Sequence, residues 1–223
     1  MGGKVVFGEE GIILTTTDAG QTWARQTSSP GAFLSAVSFV SPTQGWAVGG
    51  NLILGTEDII LATTDAGQTW TPQVSDTEAF LHGVSFVTPT QGWAVGGEGT
   101  ILTTTDAGQT WTPQTSGTSD SLSAVSFASP TQGWAVVGDY LGKGNTILTT
   151  TDAGRTWTPQ ASGPPARLHA VAFVSPTQGW TVGWSTILTT TDAGQTWTKQ
   201  TSEISAVLYG VAFVTPTQGW ARG

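Results

Sequence analysis

Five aspartates, Asp18, Asp65, Asp106, Asp152 and Asp192, stand in one repeated phrase, T-T-D-A-G-Q-T-W, with Arg155 replacing Gln in one copy. Carboxylates at a fixed recurrence suggest either a calcium loop or acid–base catalysis. A calcium loop needs about six oxygen ligands, and this phrase offers one carboxylate per copy. An Asp followed by Ala-Gly instead reads as a tight turn. Its side chain caps backbone N–H groups and its glycine takes the left-handed conformation. The five aspartates are therefore expected to be structural. Glycoside cleavage needs two facing carboxylates roughly 5–9.5 Å apart, and no motif marks such a pair. G-x-S-x-G, H-E-x-x-H and phosphate-loop signatures are absent from the sequence. No catalytic residue, cofactor or metal is expected.

The remaining chemistry rests on aromatics and imidazoles. Ten of the eleven tryptophans belong to two recurring phrases, the second being P-T-Q-G-W, which ends at Trp46, Trp93, Trp134, Trp180 and Trp220. Large aromatics that recur once per repeat usually pack between units and bury apolar area. The exception is Trp184, in the short segment G-W-S-T-I; with Tyr140, in G-D-Y-L-G-K-G, it is a candidate exposed contact.

Both phrases recur with the same spacings of 47, 41, 46 and 40 residues. That period marks a repeat architecture. Within residues 80–115, F-L-H-G-V-S-F-V-T-P reads as one strand and P-T-Q-G as a turn, where Pro89 presets φ and Gly92 can take positive φ. W-A-V-G-G is a second strand, the β-branched T-I-L-T-T-T a third and T-W-T-P-Q a fourth, with Pro113 marking an outer edge. Four antiparallel strands per 40–47 residues are the pattern of a β-propeller blade. The expected fold is all-β, a single propeller domain over residues 1–223 built from four-stranded antiparallel blades, most simply five of them.

T-x-D-x-G-x-T-W is the Asp-box, or BNR, repeat. The longer phrase G-W-A-V-G-G-E-G-T-I-L-T-T-T-D-A-G-Q-T-W resembles the repeat of the photosystem II stability/assembly factor family, the Ycf48-like propellers. The resemblance implies a propeller and an assembly role. Members of that family have seven blades, and this chain carries five repeats. Asp-box propellers also include glycosidases and lectins. Sialidases of this class use an arginine triad and a tyrosine nucleophile. Here the arginines are Arg25, Arg155, Arg167 and Arg222, with Arg155 inside an Asp-box turn, so no triad is expected.

The N-terminal G-G-K-V-V-F-G-E-E-G-I-I-L-T-T-T-D aligns without a gap to residues 49–65, and the C-terminal segment reads as strands one and two. The two ends are thus expected to pair, making a fifth blade shared between residues 1–27 and 207–223. In an up-and-down blade, the P-T-Q-G and D-A-G-Q turns share one face, which is nearly invariant. The opposite face carries the varying segments and ten of the fifteen carboxylates: Glu9, Glu10, Glu57, Asp58, Asp76, Glu78, Glu98, Asp120, Asp139 and Glu203. Such a face serves either solubility or recognition of a basic or hydroxyl-rich partner. Strand one varies at a single position near that face: Ser35, His82, Ser123, His169 and Tyr209. This ring is a candidate axial pocket. It reads either as polar side chains wetting a channel or, if the two histidines converge, as a metal site.

Net charge is −8, with seven Lys and Arg in 223 residues. Phosphate binding needs clustered cations, so nucleic acid is not an expected partner. No apolar run approaches the ~20 residues of a membrane helix. The chain lacks cysteine, which excludes disulfides without deciding the compartment. No signal-peptide pattern is read at the N-terminus; the chain is extracytoplasmic if such a segment has been removed. The expected function is a non-catalytic, monomeric scaffold that binds a protein partner through its variable acidic face. The alternatives are a multivalent carbohydrate-binding lectin and a recently amplified or designed repeat without a selected ligand.

Overall fold

The structure is a computed structural model that describes residues 11–26, 33–51, 57–138, 146–161, 167–200 and 205–223. Among the described residues, the chain forms β-strands and one 3-10 turn at Gly97–Gly99. A two-stranded sheet comes first, β1 (Ile13–Thr15) with β2 (Ala24–Gln26). Four complete blades follow. They are β3 (Phe33–Phe39), β4 (Gly45–Asn51), β5 (Glu57–Thr63) and β6 (Thr71–Gln73); β7 (Leu81–Phe86), β8 (Gly92–Gly96), β9 (Ile101–Thr104) and β10 (Thr112–Gln114); β11 (Leu122–Phe127), β12 (Gly133–Val137), β13 (Thr146–Thr150) and β14 (Thr158–Ala161); and β15 (Leu168–Phe173), β16 (Gly179–Gly183), β17 (Thr186–Thr190) and β18 (Thr198–Lys199). A second two-stranded sheet, β19 (Gly210–Thr215) with β20 (Gln218–Arg222), ends the chain. Each complete blade is antiparallel with strands in sequence order. The protein is an all-β propeller.

Two interactions join one blade to the next. The P-T-Q-G-W tryptophan stacks flat on the first-strand phenylalanine of the following blade: Trp46 on Phe86, Trp93 on Phe127, Trp134 on Phe173 and Trp180 on Phe213, with ring centroids 3.4–3.5 Å apart. Gln44, Gln91, Gln132 and Gln178 each donate their Nε2 to the proline carbonyl of the next blade's P-T-Q-G turn, Pro89, Pro130, Pro176 and Pro216. The apolar interior is consequently a series of inter-blade clusters, such as Trp93, Val95, Leu122, Val125 and Phe127. Burial of side chains this size contributes roughly 1.5–3 kcal/mol each.

The structure corrects the reading of Gly92. Positive φ is found at Gly108 (87°) and its equivalents, whereas Gly92 is not among the left-handed glycines. The requirement at Gly92 is close approach. The Phe86 ring lies on its Cα, and a Cβ there would meet ring carbons at 2.6 Å. The fourth strand is also shorter than the T-W-T-P-Q phrase. Thr110 is held by Asp106 at 2.9 Å and Trp111 turns edge-on against Phe86, so pairing begins at Thr112.

Candidate functional site

Each Asp-box aspartate is saturated by its own turn. At Asp106, Thr104 Oγ1 donates to Oδ1 at 2.8 Å, the Thr110 N–H donates to Oδ1 at 2.9 Å and Thr110 Oγ1 donates to Oδ2 at 2.7 Å. Asp18, Asp65, Asp152 and Asp192 repeat the pattern. Hydrogen bonds to the charged form favour it. Led by the threonine hydroxyl four residues on, they lower all five carboxyls, to about 2 at Asp18, Asp65 and Asp152. The alanine after each aspartate has a left-handed backbone, as at Ala107 (64°). Strain of this kind persists only where the surroundings over-determine it. Here the Ala107 N–H donates to the Thr90 carbonyl at 2.9 Å, and its carbonyl accepts the Trp46 indole N–H at 3.0 Å. The Ala107–Thr90 bond also places the two invariant turns of a blade on the same face. That face is occupied by its own hydrogen bonds.

The other end of strand one behaves differently. In every complete blade the strand-one ladder skips one residue: Ser35, His82, Ser123 and His169. A bulge of this kind re-aims a side chain. These four residues, with Tyr209 just before β19, line one axial cavity of about 810 Å³. Phe33, Leu34, Ser121, Gly138 and Arg222 complete its wall, and none of the lining residues is a carboxylate. His82 lies against Phe80 and His169 against Tyr209, with ring centroids 5.2 Å apart in both pairs. Burial holds both imidazoles below their ordinary pKa, and Arg167 adds to the effect at His169. Both are therefore neutral at pH 7. Among the described residues, no cluster of three or more His or acidic side chains could hold a metal ion.

Trp184 is exposed, and the Arg167 guanidinium lies 5.2 Å from its ring centroid. Its N–H donates to the Arg167 carbonyl at 3.0 Å, and it bridges to Val207. This places an aromatic–cation pair two residues from His169 in sequence. Tyr140 lies outside the described residues, as do Glu9, Glu10, Asp139 and Glu203. Of the other variable-segment carboxylates, Asp58 accepts the Ser75 hydroxyl.

The bulge was the feature that alternation alone missed, although the sequence carries its signal. In Leu81-His82-Gly83-Val84 both Leu81 and Val84 are buried, three residues apart, where a regular strand would put them on opposite faces. The same Leu-x-small-Val pattern recurs at residues 34, 122, 168 and 208. The small residue is also required, because a Cβ on Gly83 would sit 3.0 Å from the Cα of Ala124 in the next blade.

The fold and the turn chemistry define a β-propeller of Asp-box repeats. Residues 72–162 match the family described as photosynthesis system II assembly factor YCF48, so this part of the chain is similar to Ycf48-like BNR propellers. Among solved structures it resembles YCF48 from Cyanidioschyzon merolae, at 21% identity over 94% of this chain and 70% of that one, with a TM-score of 0.69. YCF48 bound to a D1 peptide is similar at 20% identity over 86% and 88% of the two chains, with a TM-score of 0.49. An ancestral GH74 enzyme shares the fold at 15% identity and a TM-score of 0.61, over 83% of this chain and 27% of that one. No curated protein matches the sequence.

Proposed function

We propose that the chain is a non-catalytic scaffold that binds a protein partner on its variable face, at the mouth of the axial cavity. The observation that carries this reading is the division of labour between the two faces. The invariant face spends its polar groups on Asp-box turns and blade-to-blade glutamine bonds. The cavity end presents Ser35, His82, Ser123, His169 and Tyr209 from successive blades, a set that is not repeated in every blade. A lectin with repeated sites needs the same exposed contacts in every blade, and the described cavity residues differ from blade to blade. The match of residues 72–162 to an assembly-factor family supports a protein as the partner. The cavity wall offers no carboxylate pair for glycosidic chemistry.

A peptide-array screen of the 223-residue chain, run beside a glycan array, tests the reading. Peptide binding that is lost in the His169→Ala/Trp184→Ala variant and retained in Gln91→Ala, on the invariant face, is the expected result. Glycan binding without peptide binding would overturn it.

A further inference from the structure

The β19–β20 sheet departs from the repeat at one position. Val48, Val95, Val136 and Val182 are each 0% exposed. They pair across the first ladder of their blades with Ala36, Gly83, Ala124 and Ala170. The equivalent pair between β19 and β20 is Gly210 with Arg222. A charged side chain thus stands where the other blades hold a fully buried valine. Its stem lies along the bare Cα of Gly210, where a Cβ would meet the Arg222 Nε at 3.0 Å and its Cγ at 3.1 Å. The Tyr209 N–H fixes the strand by donating to the Arg222 carbonyl at 2.8 Å. Arg222 is exposed, and it lines the axial cavity together with Tyr209 and His169.

We propose that the axial cavity binds a small organic anion, a monocarboxylate with a flat apolar body, through the Arg222 guanidinium. A guanidinium stays charged at any working pH, and its fork matches the two oxygens of a carboxylate. No counter-ion competes for it within the wall, because none of the lining residues is a carboxylate. Both cavity imidazoles are neutral at pH 7, since burial holds them low. Among the described lining residues Arg222 therefore carries the only full charge. Arg167 acts on His169 from outside the wall, with its guanidinium over the Trp184 ring.

That single cation selects a single negative charge. The chain as a whole carries −8, so a second charge on the ligand would be repelled with no second cation in the wall to offset it. The rest of the wall suits an apolar body. Phe33 and Leu34 contribute apolar surface, and the His169 and Tyr209 rings lie 5.2 Å apart at a 38° tilt. Ser35 and Ser123 supply hydroxyls that can donate to a carboxylate. The cavity volume of about 810 Å³ falls within the roughly 300–1,000 Å³ of small-molecule sites. A protein partner at the mouth and an anion inside occupy different depths of the cavity, and neither needs the other.

The chain contains two histidines, and both line this cavity, so their ring protons report occupancy directly. Benzoate is titrated into the 223-residue chain at neutral pH, without peptide, and followed by proton NMR. Saturable shifts of both imidazoles are expected, with much weaker binding of benzamide, the uncharged analogue. Arg222→Val installs the residue that the other blades hold. Its imidazole signals in the absence of benzoate should match those of the unaltered chain, and its benzoate affinity should fall about tenfold or more. The absence of a saturable shift, equal affinity for benzamide, tighter binding of the dianion phthalate, or undiminished benzoate binding by Arg222→Val would each overturn the proposal. Peptide binding is read in a separate experiment, so a failure here leaves the scaffold reading to its own test.

Discussion

The interior blades and the two ends of the chain are built from the same phrases and end in opposite environments. Trp134 is 0% exposed and Trp220 is 58% exposed, although both end a P-T-Q-G-W phrase. Val84 and Val37, at equivalent positions, are 8% and 53% exposed. Only the neighbour differs. β7 follows a complete four-stranded blade, whereas β3 follows the two-stranded β1–β2 sheet. A repeat cannot bury its own apolar face; the adjacent repeat must cover it.

The largest expected effect tests this contrast directly. Trp134→Ala removes a fully buried ring and should destabilise the fold by about 3–5 kcal/mol, read as a shift in the urea unfolding midpoint. Trp220→Ala, at an exposed ring, should cost far less. A loss approaching that of Trp134→Ala would mean that Trp220 is covered in solution and that the two positions are equivalent.

A smaller difference separates two glycines at equivalent positions. Gly83→Val drives side-chain atoms against the backbone of Ala124 and Val125, and overpacking of this kind costs about 1–3 kcal/mol. Gly210→Val meets only the Arg222 side chain, which can move aside. Thermal unfolding of both variants should show the larger loss at Gly83. Equal losses would place a packed blade beside β19.

The acid limb contrasts the two faces. The Asp-box carboxyls are depressed in the folded chain from the ordinary 3.8, to about 2 at Asp18, Asp65 and Asp152. Between those values the unfolded chain binds more protons, so stability falls as pH falls. The melting temperature should be insensitive to these groups above about pH 5 and should drop between about pH 4 and 2. Asp106→Asn should reduce that drop; an unchanged acid limb would remove the Asp-box turns as its source.

The smallest expected effect lies in the cavity. Burial lowers the folded pKa of His82 and His169 below 6.5. The unfolded chain therefore takes up protons first as pH falls through that value, and stability declines from there until the folded imidazoles titrate. Titration of the His82 and His169 ring protons by NMR should show both midpoints below 6.5. A midpoint at or above that value in either ring would place it in open solvent.

Much of the candidate site was legible before any coordinates. The five-member ring came from one variable strand-one position, and those residues do share a cavity. The reason they point there was less accessible. Alternation describes a regular strand, and these residues occupy its irregularity, with the Leu–Val spacing as the available clue. Gly92 was misread for a related reason. Turn statistics suggest backbone freedom, but the requirement comes from a ring six residues earlier.

By itself the sequence determined the repeat, the strand order within a blade, the Asp-box turns and the division into an invariant and a variable face. All are local properties of period, turn chemistry and composition. The tertiary structure alone decided which indoles are buried, how Trp and Phe stack across blades, and that a bulge in each complete blade directs Ser35, His82, Ser123 and His169 to one cavity. Those outcomes depend on what an adjacent blade supplies, and a repeat read in isolation has no neighbour.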